Sequence, residues 1–186
     1  MNSDEGIVAR RTAWIAVLTA AVTLFSFALA CATPFPALAA LAALHLRRSD
    51  ALVLTGIAWV ANQAIGYGFL GYPQTWDSFA WGGVIGLSAL AATAVAIGAA
   101  TLMRRAVRLA AAVVSFTAAF IAYEAALCGT TAFLPSGPEA FSAPIVMWIL
   151  RVNALAFVEL MLVQSLDDSL GWAVRRDIYR KPTAAA

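Results

Sequence analysis

Six stretches of apolar residues, at about 12–32, 35–46, 51–70, 78–103, 106–128 and 141–166, make up most of this chain. Within each, alanine, leucine, valine and isoleucine follow one another continuously. They do not form the roughly 3.6-residue stripe of a helix lying half in water. A hydrocarbon core of about 30 Å takes roughly 20 helical residues to cross, so five of the stretches span a bilayer unaided. The second, PALAALAALHL with its flanks, is short. It predicts a thin helix, a strongly buried one, or a segment carried across by its neighbours. A transmembrane barrel would instead alternate polar and apolar residues over strands of about 10 residues. The pattern predicts an all-α membrane protein, a single domain over 1–186 with six transmembrane helices and a polar tail over 167–186.

Composition agrees. Hydrophobic residues make up 62% of the chain and charged ones 12%, against about 25% charged in a soluble domain. No stretch is left for a sizeable aqueous catalytic module. The opening MNSDEGIVARR is polar, and the run behind it lacks an A-x-A cleavage site, so the first segment reads as a retained span and not as a signal peptide.

Charge settles how many spans to count. Arg10 and Arg11 precede the first, Arg47 and Arg48 follow the second, Arg104, Arg105 and Arg108 join the fourth to the fifth, and Arg175, Arg176, Arg180 and Lys181 follow the sixth. Connections 33–34, 71–77 and 129–140 contain no Lys or Arg. Eleven of the twelve basic residues therefore share one face only if the short segment crosses. The positive-inside rule then predicts cytoplasmic N- and C-termini, in the inner membrane, with the other loops facing the periplasm.

Those loops, CATPFP, GYGFLGYPQTWDSFAWGG and CGTTAFLPSGPEAF, collect aromatics and prolines. A belt at the lipid headgroups explains single rings, but a belt would appear on both faces. The asymmetry predicts an outward pocket lined by rings and backbone amides, as in small-molecule sites. Tyr67, Phe69, Tyr72, Trp76 and Trp81 are the candidate stacking residues, and Asn62 and Gln63 the candidate floor. Gly66, Gly68 and Gly71 let backbone approach a ligand or a neighbouring helix closely.

Charges inside a membrane are functional candidates. Glu124 and Arg151 lie at similar depth on the fifth and sixth spans, which predicts a mutual ion pair bordering the pocket, with Asn153 and Glu159 continuing a polar line. Cys31 and Cys128 sit at span ends on the loop-rich side, where three readings compete: a disulfide, two small buried apolar groups, or a thiolate ligand to a soft metal. Small-xxx-small pairs (Ala16 and Ala20, Ala28 and Ala32, Ala39 and Ala43, Gly82 and Gly86) suit close helix approach. SLDDSLGWAVRRDIYRK reads as an amphipathic extension of the sixth span. The one histidine is His45, and no phosphate-binding loop, H-E-x-x-H or G-x-S-x-G is present. No enzyme, required cofactor or nucleic-acid partner is expected.

The size, six short spans and clustered loops together resemble the substrate-binding S component of energy-coupling factor transporters. CATPFPALAALAALHL and NQAIGYGFLGYP are most similar to the BtuM-like cobalamin uptake proteins. The resemblance implies high-affinity capture and uptake of a vitamin, with cobalamin or a related corrinoid as bound substrate. It also implies a scaffold subunit and ATPases as possible partners, the scaffold meeting Ala16 and Ala20. A cobalt-ligating cysteine is expected near the loop after the third span, but residues 66–77 contain none. Cys31 and Cys128 are candidate cobalt ligands that could approach the same outer cavity, and a different vitamin, or base-off corrinoid binding without a protein ligand, stays open. Two other functions fit the residues: a structural or assembly subunit of a larger membrane complex, and a small proton-coupled permease using Glu124 and Glu159.

Overall fold

The structure, a computed structural model, describes residues 33–135 and 140–179, with side chains as far as residue 165. The described residues form five helices and no strand: α1 (Phe35–His45), α2 (Arg48–Gly68), α3 (Trp76–Leu102), α4 (Arg108–Thr130) and α5 (Ala143–Tyr179). The first predicted span, with Ala16, Ala20, Ala28, Cys31 and Ala32, lies outside the described residues, as does 180–186. Among the five, α3, α4 and the Ala143–Ser165 part of α5 are long and apolar enough to cross a membrane. Helix α2 is not in that group, because Asn62 and Gln63 lower its hydropathy. Its outward side chains Val53, Ile57 and Val60 are nevertheless exposed and apolar.

The short segment is the centre of the bundle. Helix α1 has 11 residues and rises only about 16 Å. All four other helices pack against it, and every residue from Phe35 to Ala42 is buried. A helix apolar on all sides belongs in an interior, so of the three expectations for this segment, strong burial is the one realised.

Its amino end needs help from elsewhere. Pro34 precedes it without a side-chain cap, and Pro36 carries no N–H. The Phe35 N–H donates to the Thr33 carbonyl at 2.8 Å and the Leu38 N–H to the Pro34 carbonyl at 3.0 Å. The Ala37 N–H donates to Asn153 Oδ1 on α5 at 3.4 Å. Helix starts leave such donors without intrahelical partners, and Asn153 acts as a cap supplied by another helix. At the far end, the Leu46 N–H donates to the Ala42 carbonyl at 2.9 Å.

Small residues set the α2–α3 spacing. The buried side of α3 is Gly82, Gly86, Ala89, Ala92, Thr93 and Ala96. A Cβ on Gly86 would come within 2.6 Å of the Trp59 ring, whose Nε1–H donates to the Gly82 carbonyl at 2.8 Å. Deeper in, the Thr55 and Thr93 hydroxyls meet at 2.8 Å. Each also lies on its own helix's carbonyl, Ala51 and Ala89 respectively.

Successive helices run in opposite directions, which sorts the connections onto two ends. Among the described residues, Arg47, Arg48, Arg104, Arg105 and Arg108 gather at one end, and the other end has no Lys or Arg. Helix α5 continues past this basic end to Tyr179, so the helical extension expected of the sixth span is present in its backbone.

Candidate functional site

At the end without cations, the chain leaving α2 turns back on itself. The Phe69 and Leu70 N–H groups both donate to the Ile65 carbonyl, and the Tyr72 N–H donates to the Gly66 carbonyl at 3.0 Å. Gly71 makes this reversal with φ +68°, a conformation side chains disfavour. The Tyr72 ring lies so close over Gly66 that a Cβ there would collide with it. Tyr67 meets Tyr72 edge-on, with centroids 5.7 Å apart, and stacks on Phe79 at 4.7 Å.

Beneath this aromatic cover lies a cavity of about 170 Å³. Its polar wall is Asn62, Gln63, Tyr67, Ser78 and Tyr123, and Phe35, Tyr72, Trp81 and Ile85 close much of the rest. Asn62 is buried, its Nδ2 donating to Thr33 Oγ1, and the Gln63 Nε2 donates to Asn62 Oδ1 at 3.2 Å. The Tyr67 and Ser78 hydroxyls are hydrogen-bonded at 3.1 Å. The Trp81 Nε1–H donates to the Pro135 carbonyl at 2.9 Å, tying the α4–α5 connection to α3. Helices α1, α2, α3 and α4 each contribute to the lining, so the arrangement can hold a small ring or amide against both hydrogen-bonding and apolar surface.

The structure brings together Asn62, Gln63, Tyr67, Tyr72 and Trp81 from the expected set. Phe69 and Trp76 do not line the cavity and are 79% and 68% exposed. The lining also includes Thr33, Phe35 and Ser78, from the loops expected to form the site but not singled out in them, and Tyr123, which the sequence reading missed. A phenol in the middle of an apolar span was the available signal for Tyr123.

The Glu124–Arg151 ion pair does not form. Both Glu124 carboxylate oxygens are buried without a hydrogen-bond partner among the described residues, and Arg151 is exposed. Helix rotation explains the miss. Phe157 stacks on Phe116 of α4 at 4.9 Å, and Arg151 lies six residues earlier, about 240° around the helix. Asn153, four residues from Phe157, faces inward instead. Glu159 is exposed. Cys128 is a free, exposed thiol that does not line the cavity, and Cys31 lies outside the described residues. Among the described residues, no three His, Cys, Asp or Glu side chains cluster as a metal site would require.

Fold and composition together define a class: a helical membrane protein with a small polar cavity at one end of its bundle. Compared with protein-family models, curated proteins and solved structures, the chain matches none.

Proposed function

We propose that this chain is a membrane-embedded binding subunit that captures a vitamin-class ligand from outside the cytoplasmic membrane for uptake. On this reading it has six spans, cytoplasmic termini and the cavity opening to the periplasm. The observation that carries the reading is the cavity itself. Two amides and five hydroxyl-bearing side chains, drawn from three helices and the segments that flank them, converge in an apolar bundle, where isolated polar groups are costly. The absence of Lys and Arg from that end, among the described residues, supports an outward orientation.

Pockets that bury drug-sized ligands occupy roughly 300–1,000 Å³, and this cavity is about 170 Å³. A corrinoid, the ligand implied by the family resemblance, would place its ring at the mouth, and the exposed rings of Phe69 and Trp76 offer it flat surface. One of its peripheral amide arms would reach the Asn62–Gln63 pair. An energy-coupling scaffold with ATPases would drive release.

The test is to purify the protein from cells fed cobalamin and record the visible spectrum. A stoichiometric corrinoid band is expected, weakened at least tenfold in binding by Asn62→Leu with Gln63→Leu. A colourless protein that also shows no calorimetric binding of cobalamin removes the corrinoid. No binding across a vitamin panel removes the reading altogether in favour of an assembly subunit.

A second reading, a proton-coupled permease, draws on Glu124, whose buried carboxylate oxygens are without partners among the described residues. Such carboxyls mark proton pathways in membranes. Uptake that survives collapse of the proton gradient and Glu124→Gln counts against it.

A further inference from the structure

A second cavity, of about 390 Å³, lies at the opposite, basic end of the bundle. It opens where α1 ends, where α3 turns into α4, and beside Met161 of α5. His45, Arg104 and Arg108 line it, and among the described residues no carboxylate does. Ala43, Ala100, Met103 and Met161 supply an apolar wall that continues toward the bundle interior. The cavity therefore combines cations with a dry surface beneath them.

Backbone contributes with both signs. Arg108 and Ala111 of the first turn of α4 border the cavity, and Val107 before them provides no side-chain cap. The amino end of a 23-residue helix thus presents N–H groups and its positive dipole end to the same space. The carboxyl ends of α1 and α3 border the same space with the opposite dipole sign, so the positive charge of the cavity rests on its side chains.

We propose that this cavity binds a phosphate-bearing anion, with Arg104 and Arg108 holding the phosphate oxygens. A guanidinium presents paired donors that match a phosphate's geometry. The apolar wall beneath favours an anionic phospholipid, its headgroup on the arginines and its glycerol and upper acyl carbons on Ala43, Met103 and Met161. Basic pockets between helix ends are suited to such headgroups. The inference needs a membrane setting but is independent of the vitamin reading, which concerns the other end of the bundle.

Full-length protein in mild detergent, supplied with equal phosphatidylglycerol and phosphatidylcholine, is examined by native mass spectrometry. Retention of phosphatidylglycerol over phosphatidylcholine is expected, falling about tenfold in Arg104→Gln with Arg108→Gln. The same loss of charge at the same end, made by Arg47→Gln with Arg48→Gln outside the cavity, leaves retention within about twofold. Circular dichroism of both variants checks that the helices persist, and Arg104→Lys with Arg108→Lys recovers part of the binding. Calorimetry with inorganic phosphate in lipid-free detergent separates the sources: saturable heat, lost in the cavity variant, assigns a soluble phosphate anion. Equal loss in the two glutamine variants, or no preference between the lipids together with no phosphate heat, overturns the proposal.

Discussion

Asn153 shows how one polar side chain in an apolar helix can be structural. It accepts the Ala37 N–H, which Pro36 and the uncapped start of α1 leave without a local partner. Its own Nδ2 donates to the Ile149 carbonyl at 3.0 Å. Replacing it with leucine keeps the volume and strands the buried N–H, at a cost of about 1–3 kcal/mol. Thermal unfolding in detergent should show Asn153→Leu clearly destabilised, while Arg151→Leu at its exposed neighbour is nearly neutral. Sequence marked both residues as unusual without telling the two roles apart. Consecutive helical residues point about 100° apart, so the same rotation that turns Tyr123 into the cavity, with its ring 6.1 Å from that of Phe35, turns Glu124 away from it. Asn62 and Gln63 were legible because amides interrupt an apolar run. Tyr123 was not, since the charge beside it was the louder signal.

At the scale of elements, α2 and α3 approach closely because glycines face Trp59. A side chain at Gly86 must displace an indole that is itself held by the Gly82 carbonyl. Gly86→Val should therefore cost about 1–3 kcal/mol by overpacking, read as a lower melting temperature, and combining it with Trp59→Phe should restore part of the loss. The Gly82 and Gly86 spacing was visible in the sequence, as were four helices to within a few residues of both ends and the start of the fifth, which runs on past the expected span to Tyr179. What spacing did not supply was the partner. In a chain so rich in alanine, small-residue pairs recur on many faces, and only the indole shows which one is in use. The loop after α2 was similarly half legible: Gly71 and Tyr72 form the cover, whereas Phe69 and Trp76 project from it, because a reversal of the chain has no periodicity from which side-chain direction can be read.

For the whole molecule, the cavity and the arginine cluster occupy opposite ends, with the buried α1 between them. On the proposed topology the cavity end faces the periplasm. Cys128 is exposed near that end of α4, so a membrane-impermeant maleimide added to intact spheroplasts should label it in a Cys31→Ser background. A cysteine introduced by Arg105→Cys in a Cys31→Ser, Cys128→Ser chain should react only after permeabilisation. The reverse pattern inverts the topology and turns the cavity toward the cytoplasm.

The sequence alone determined the class. Continuous apolar runs and scarce charge are compatible with a lipid solvent and not with water, and the spacing of arginines divided the connections into two sets. Tertiary structure alone decided what those runs do. It placed the shortest, least self-sufficient helix at the centre, where longer neighbours bury it and Asn153 completes its amino end. It separated Glu124 from Arg151 and gathered Asn62, Gln63, Tyr67, Ser78 and Tyr123 into one cavity. The physical reason is that hydropathy depends on composition and reads directly from the chain, whereas which side chains meet depends on helix rotation and on close approach at glycines. In a chain apolar on nearly every face, those are set by packing and not by pattern.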